Sequence, residues 1–250
     1  MIKIEISTTK NELGKKAALN AAQKIEYAIQ KKGNANIILA TGASQFDTLH
    51  HLVENTEIDW SKVVMFHLDE YAGMEENHPA SFRRYLRERF VDKVPALEAV
   101  YFIDGDREDL TEECRRLNTI INQHPIDVAL VGIGENAHLA FNDPPANFEE
   151  KEPYIIVDLD EACRRQQMGE GWFASLEDVP KKAISMSVMQ IMKSKSIICS
   201  VPDQRKAVAV SNCLEKEVSN MYPASILQKH SDCTLYLDTA SASLLSSSQK

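Results

Sequence analysis

Apolar and polar positions alternate from Met1 to Ser7, with Ile2, Ile4 and Ile6 on one side, the pattern of a strand with one buried face. From residue 10 to 31 the period changes. Leu13, Ala17, Ala21, Ile25, Ala28 and Ile29 fall three or four apart, which predicts an amphipathic helix. The two periods then trade places along the chain. Strands are expected at 36–40, 63–68, 99–103, 128–131, 154–158, 183–187, 196–201 and 234–237. Helices are expected at 44–54, 79–91, 110–122, 160–167 and 203–215, with Ser44-x-x-Asp47 read as a capping-box variant. This alternation implies an α/β fold, a doubly wound, mostly parallel sheet with helices on both faces. No repeat or long linker breaks residues 1–250, which read as a single α/β domain. Gly169-Glu170-Gly171 is the strongest internal punctuation, read as a loop or lid. The serine-rich stretch 241–250 reads as a loose end.

Composition narrows the partners. The chain has 250 residues, and 28 basic against 37 acidic ones give a net charge of −9. That balance argues against nucleic acid or an anionic membrane surface. Cations for an anionic small molecule must be gathered locally. The five cysteines form no CxxC pair, and they read as reduced, mostly buried thiols of a cytoplasmic protein. The opening MIKIEIST lacks the apolar core and cleavage site of a signal peptide. No apolar run approaches the ~20 residues that span a bilayer.

Chemistry concentrates at strand ends. Val128–Val131 is a short apolar run that breaks into Gly132-Ile133-Gly134, followed by Glu135, Asn136, His138 and Asn142-Asp143. In open α/β sheets ligands bind just past the carboxyl ends of strands. A lone GxG with a histidine is equally well an ordinary βα loop. Upstream, Thr41-Gly42-Ala43-Ser44 leads a strand into a helix start, where unpaired amides and hydroxyls can hold a phosphate; an ordinary capped helix is the alternative. No GK[ST] follows, so a nucleoside triphosphate is not implied. Asp69 and Glu70 end an apolar strand. Partial desolvation would raise the pKa of Asp69 and make it a better proton acceptor near neutrality, although Asp69 could equally cap the next turn. Asp203 suits an N-cap, and Arg205 and Lys206 then fall in a first helical turn, where a cation is disfavoured unless an anion sits beside it. His67, His78 and His138 with Asp69 and Asp143 lack metal-ligand spacing, so no metal is expected.

These residues resemble the glucosamine-6-phosphate deaminase/isomerase family. The resemblance lies in ATGAS (40–44), LDEYAG (68–73) with HPASF (78–82), GIGENAHLAFNDP (132–144) and QRKAVAV (204–210), and it runs from the first strand to about residue 237. Related 6-phosphogluconolactonases share the GxGxxxH loop but resemble the chain less. The resemblance implies conversion of a 2-amino-2-deoxyhexose 6-phosphate to the ketohexose 6-phosphate with release of ammonia, without a cofactor. It implies Asp69 as the base that moves a proton from C2 to C1. It implies His138 as the group that opens the ring, with Asn136 and Asp143 as its helpers. Thr41, Gly42, Ala43, Ser44 and Lys206 are implied as phosphate contacts.

The chain also departs from the family pattern. Asn136 stands where many members carry Asp, Asp143 replaces the usual Glu, and Ala137 replaces a glycine. Ala43 and Gln45 alter the phosphate loop. RRQQMGEGWF (164–173) replaces a segment that supplies a phosphate-binding arginine, so Arg164 or Arg165 is the expected substitute. The epimer stays open between glucosamine 6-phosphate and a neighbour such as galactosamine 6-phosphate. A lactonase and a non-catalytic sugar-phosphate sensor are the alternative functions, and a homo-oligomer is left open. The long C-terminal tail of allosterically regulated members is not seen, so amino-sugar activation is not expected.

Overall fold

The computed structural model describes residues 2–247. In chain order the elements are β1 (Lys3–Ser7), α1 (Lys10–Lys32), β2 (Ala35–Leu39), α2 (Phe46–Val53), β3 (Val63–His67), β4 (Asp69–Tyr71), α3 (Phe82–Arg89), β5 (Ala99–Tyr101), α4 (Leu110–Ile121), β6 (Val128–Val131), β7 (Tyr154–Asp158), α5 (Glu161–Gly169), β8 (Lys182–Met186), α6 (Val188–Met192), β9 (Ser196–Val201), α7 (Ala207–Glu215) and β10 (Cys233–Asp238). Seven strands form an all-parallel sheet in the order β1-β10-β9-β6-β2-β3-β5. Its central strands are apolar at nearly every position because both faces are covered.

The pleat divides those strands between two cores. Ile37, Leu39, Val63, Met65, Val128 and Leu130 pack against α1, Trp60 and Phe90. Ile38, Val64, Phe66, Ala129 and Val131 pack on the opposite face with α4 and α7. Helix α1 begins at Thr9, whose side chain accepts from Glu12 N, and ends at Gly33 with φ +90°. Strand order reverses around β2 and β6. From there the chain builds outward through β3 and β5 on one side and through β9, β10 and β1 on the other. The carboxyl ends of β2 and β6 therefore open side by side, as at the ligand crevice of doubly wound sheets.

Several expectations need correction. The strand expected at 63–68 stops at His67. Asp69–Tyr71 leaves the parallel sheet and pairs antiparallel with β8, which pairs antiparallel with β7. This small second sheet covers a cluster of Tyr71, Phe82, Phe141 and Phe173. The expected capping box at Ser44 is not formed: residues 43–45 make a 3₁₀ turn, α2 starts at Phe46, and no side chain caps it. The expected helix at 203–215 opens with a 3₁₀ turn at 204–206, with Asp203 accepting from Arg205 N as an N-cap does. The end of the chain is not loose as far as Leu245. Ser241 N donates to Asp238 Oδ1 at 2.7 Å, and Ala242 and Leu245 are buried in the core. Met1 and residues 248–250, parts of the expected first strand and loose end, lie outside the described residues. Among the described residues no helix is long and apolar enough to cross a membrane. All five cysteines are buried and unbridged.

Candidate active site

The loop after β6 places its histidine by folding back on itself. Gly134 N donates to His138 O at 3.0 Å, Ala137 N to Gly134 O at 3.0 Å, and His138 N to Asn136 Oδ1 at 3.1 Å. The imidazole lies flat against Gly134. A Cβ there would stand 2.2 Å from ring atoms Cδ2 and Nε2, so only glycine admits this placement. Ala137 completes the turn at φ +70°, a conformation that costs a residue with a Cβ.

Asp143 fixes the ring. Its Oδ1 lies 3.1 Å from His138 Nδ1 and accepts from Asn136 Nδ2 at 2.9 Å, while Oδ2 accepts from Asp160 N at 3.1 Å. Burial alone would raise Asp143. The bond to His138, the Asn136 amide and the Asp160 N–H outweigh it and hold the carboxyl below its ordinary value. An ionised Asp143 accepts a hydrogen bond from Nδ1–H, which leaves the Nε2 lone pair to take a proton. Asn136 and Asp143 thus stand behind His138 and do not line the cavity. Cys163 Sγ lies within 4.8 Å of the ligand atoms of both His138 and Asp143. Burial and Asp143 push its thiol well up, so it stays protonated and a poor metal ligand. His67, the other strand-end histidine, accepts from Ile103 N at 2.9 Å inside the core, and burial drives it down to about 3.

The switch of Asp69 from one sheet to the other brings its carboxyl over the crevice. Asp69 is buried, and burial followed by the charge of Glu70 pushes it up to about 8. Glu70 points the opposite way, into the start of α3. There it accepts from Ser81 Oγ and from the N–H groups of Phe82 and Arg83 at 2.8–3.2 Å, and burial lifts it to about 7.

At the other end of the crevice Gly42 turns the chain at φ +89° into the 43–45 turn. The buried Gln45 amide pins that turn to the sheet, donating to Ser44 Oγ at 3.0 Å and to Val131 O at 3.3 Å. Tyr85 Oη donates to Gly42 O at 2.9 Å. Lys206 arrives from the turn after β9, and burial lowers its pKa.

One cavity of about 580 Å³ is lined by Thr41, Gly42, Ala43 and Ser44, by Asp69, by His138 and by Lys206. Four strand ends therefore supply a glycine-led turn, a carboxyl of high proton affinity, an oriented imidazole and an ammonium to one volume. Arg164 is not brought there. Its Nε and Nη2 donate to Val179 O at 3.2 and 3.1 Å, and Nη2 also donates to Leu176 O. The guanidinium ties down the segment after α5 and does not line the cavity. Arg165 is exposed and pairs with Glu161. The cavity also takes in Lys10, Gln166 and Gln167, which the sequence did not mark as site residues, and Glu170, from the Gly169–Gly171 stretch read as a loop or lid, which instead closes α5 with Gly169 its last residue and Glu170 its C-cap. The amide-rich α5 segment was visible as a departure from the family pattern, whereas nothing in its surroundings singles out Lys10.

Comparison with known proteins identifies the family. The family model for glucosamine-6-phosphate isomerases/6-phosphogluconolactonase matches residues 8–236. A glucosamine-6-phosphate deaminase of Oenococcus oeni is 36% identical over 245 residues, covering 98% of this chain and 99% of that protein. Glucosamine-6-phosphate deaminase 1 of Bacillus subtilis is 34% identical over 229 residues, 90% of this chain and 93% of its own. A solved structure described as a monomeric glucosamine-6-phosphate deaminase superposes with a TM-score of 0.88 at 32% identity, covering 97% of this chain and 100% of that one. A 6-phosphogluconolactonase from Thermotoga maritima, with a TM-score of 0.77 at 14% identity and 95% and 99% coverage, shares the fold. With the matched model spanning nearly the whole chain, the protein belongs to the glucosamine-6-phosphate deaminase/isomerase family.

Proposed function

We propose that the protein converts glucosamine 6-phosphate, or a close epimer, and water to the ketohexose 6-phosphate and ammonia. The observation that carries this reading is the meeting of Asp69, His138 and the Thr41–Ser44 turn with Lys206 around one cavity. The closed sugar has no acidic proton at C2, so ring opening comes first. His138, oriented by Asp143, carries the proton from O1 to O5 as the C1–O5 bond breaks and the aldehyde forms. Asp69 then takes the C2 proton while O1 takes one from the substrate ammonium, leaving a neutral C1–C2 enolamine, and Asp69 returns its proton to C1. The nitrogen now forms an iminium at C2. Water adds there, and the C–N bond breaks to release ammonia and leave the ketone.

A carboxylate with proton affinity near pH 8 is a far stronger base than an ordinary one at 3.8. The amino group of the substrate, entering as an ammonium beside C2, supplies the positive charge that favours ionisation of Asp69. Holding the phosphate at the Thr41 end fixes C1 and C2 beside these groups, an orientation effect worth several kcal/mol. Five buried thiols fit a reducing, cytoplasmic setting.

Ammonia release across a panel of hexosamine 6-phosphates tests the reading. Turnover of at least one, abolished in Asp69→Asn, supports it. Full activity in that variant refutes the role of Asp69. A 6-phosphogluconolactonase would need only His138 to activate water, and Asp69→Asn would then be mild.

A further inference from the structure

The anion end of the cavity already holds a carboxylate. Glu170 caps the end of α5 and lines the same cavity as the Thr41–Ser44 turn and Lys206. Its Oε2 lies 3.5 Å from where a Cβ on Gly42 would stand, so it rests against the backbone of the turn. Its Oε1 accepts from Gln166 Nε2 at 3.1 Å, one helical turn earlier. Gln166 is tied across the cavity in its turn, accepting from Glu135 N at 2.8 Å. Burial depresses the ammonium of Lys206, and Glu170 is the largest influence opposing that. Arg205, the other cation of that strand end, is exposed and sits 3.6 Å from Glu135.

We propose that Glu170 is a specificity-determining residue: in the free protein its carboxylate rests against the Gly42 turn, at the end of the cavity that Lys206 also lines, and a phosphate monoester must displace it to bind. The inference rests on the sugar-phosphate reading of the site. A carboxylate and a phosphate dianion within a few ångströms repel, and one buried ammonium cannot serve both fully. Displacement is sterically open. Glu170 is only half-buried and sits at the end of α5 just before Gly171, at φ +87°, so its side chain borders solvent as well as the cavity. Turning Glu170 out gives up its bond to Gln166 and its attraction to Lys206, and a doubly charged phosphate restores more of the latter than a singly charged group does. The device therefore favours phosphate monoesters over sugar acids and neutral sugars.

Glu170→Gln keeps the shape and can still accept from Gln166, and Glu170→Ala removes the side chain. Titration calorimetry of the full chain with inorganic phosphate reads the effect without catalysis. We expect binding about tenfold tighter in both variants, equivalent to about 1.4 kcal/mol, and a similar fall in KM for glucosamine 6-phosphate. A variant that merely disturbed the structure would weaken binding, so the direction is diagnostic. Unchanged or weaker phosphate binding in both variants overturns the proposal, even if the wild type turns over glucosamine 6-phosphate. Tighter binding without turnover of any hexosamine 6-phosphate would uphold it and overturn the deaminase reading instead.

Discussion

Asp69→Asn should stabilise the protein, and by more at high pH than at low. Asp69 is 7% exposed as a residue, and burial together with Glu70 raises its carboxyl from 3.8 to about 8. Between those values the folded protein retains a proton that the unfolded chain has released. Stability therefore declines as pH rises, from its full value below 3.8 to the loss of this contribution as pH passes about 8. At about 1.4 kcal/mol per pH unit the ceiling is on the order of 5 kcal/mol. Asparagine has nearly the same shape and cannot ionise, so the variant escapes this decline. Relaxation around the carboxylate takes part of the ceiling, which leaves a relative gain of about 2–4 kcal/mol between pH 5 and pH 8.5. Glu70 is present in both proteins, so comparison at matched pH reads Asp69 together with its coupling to Glu70. Urea unfolding followed by circular dichroism at several pH values measures it. On heating, the gap in Tm should widen by roughly 5–10 °C over the same range. A gap that stays constant or narrows with rising pH would refute the argument that Asp69 is held protonated by its surroundings.

Four further outcomes are expected. The kcat/KM of the wild type should rise with pH up to about 8, as the Asp69 carboxylate forms in the free enzyme; a profile flat from pH 6 to 9 would count against Asp69 as the base. Asp143→Asn should lower kcat by a factor on the order of 10²–10⁴, because His138 loses the acceptor that sets its tautomer; near-normal kcat would remove Asp143 from the mechanism. Gly134→Ala should cost about 1–3 kcal/mol of stability and most of the activity, since its Cβ displaces the imidazole; an unaltered Tm with full turnover would show the ring lies elsewhere. Ala137→Gly should leave activity intact and change stability by no more than about 1 kcal/mol in the favourable direction, by relieving φ +70°; denaturant melts can check it.

Much of the chemistry was readable because it is local. The run from Val128 to Asp143 states its own turn: glycine beneath the ring, an Asx side chain folding the loop, and a carboxylate five residues past the histidine to hold it. The parallel strands announced themselves as apolar runs, since burial on both faces leaves no room for polar alternation. Asp160 and Asp203 were placed at helix starts where side chains do accept from backbone N–H groups. Ser44 misled, because the same residue types serve a 3₁₀ turn in which Ser44 Oγ accepts from Gln45 instead.

The sequence by itself determined where most strands and helices lie and which strand ends carry titratable groups, because periodicity and turn chemistry act over a few residues. Only the tertiary structure decided which elements meet. It moved Asp69 into a second, antiparallel sheet, turned Arg164 toward the carbonyls of Leu176 and Val179, packed Leu245 into the core and set Glu170 beside Gly42. Each of these placements depends on a contact between segments far apart along the chain or beyond a single helical turn. Such contacts are selected by the packing of the whole core, and no local pattern encodes them.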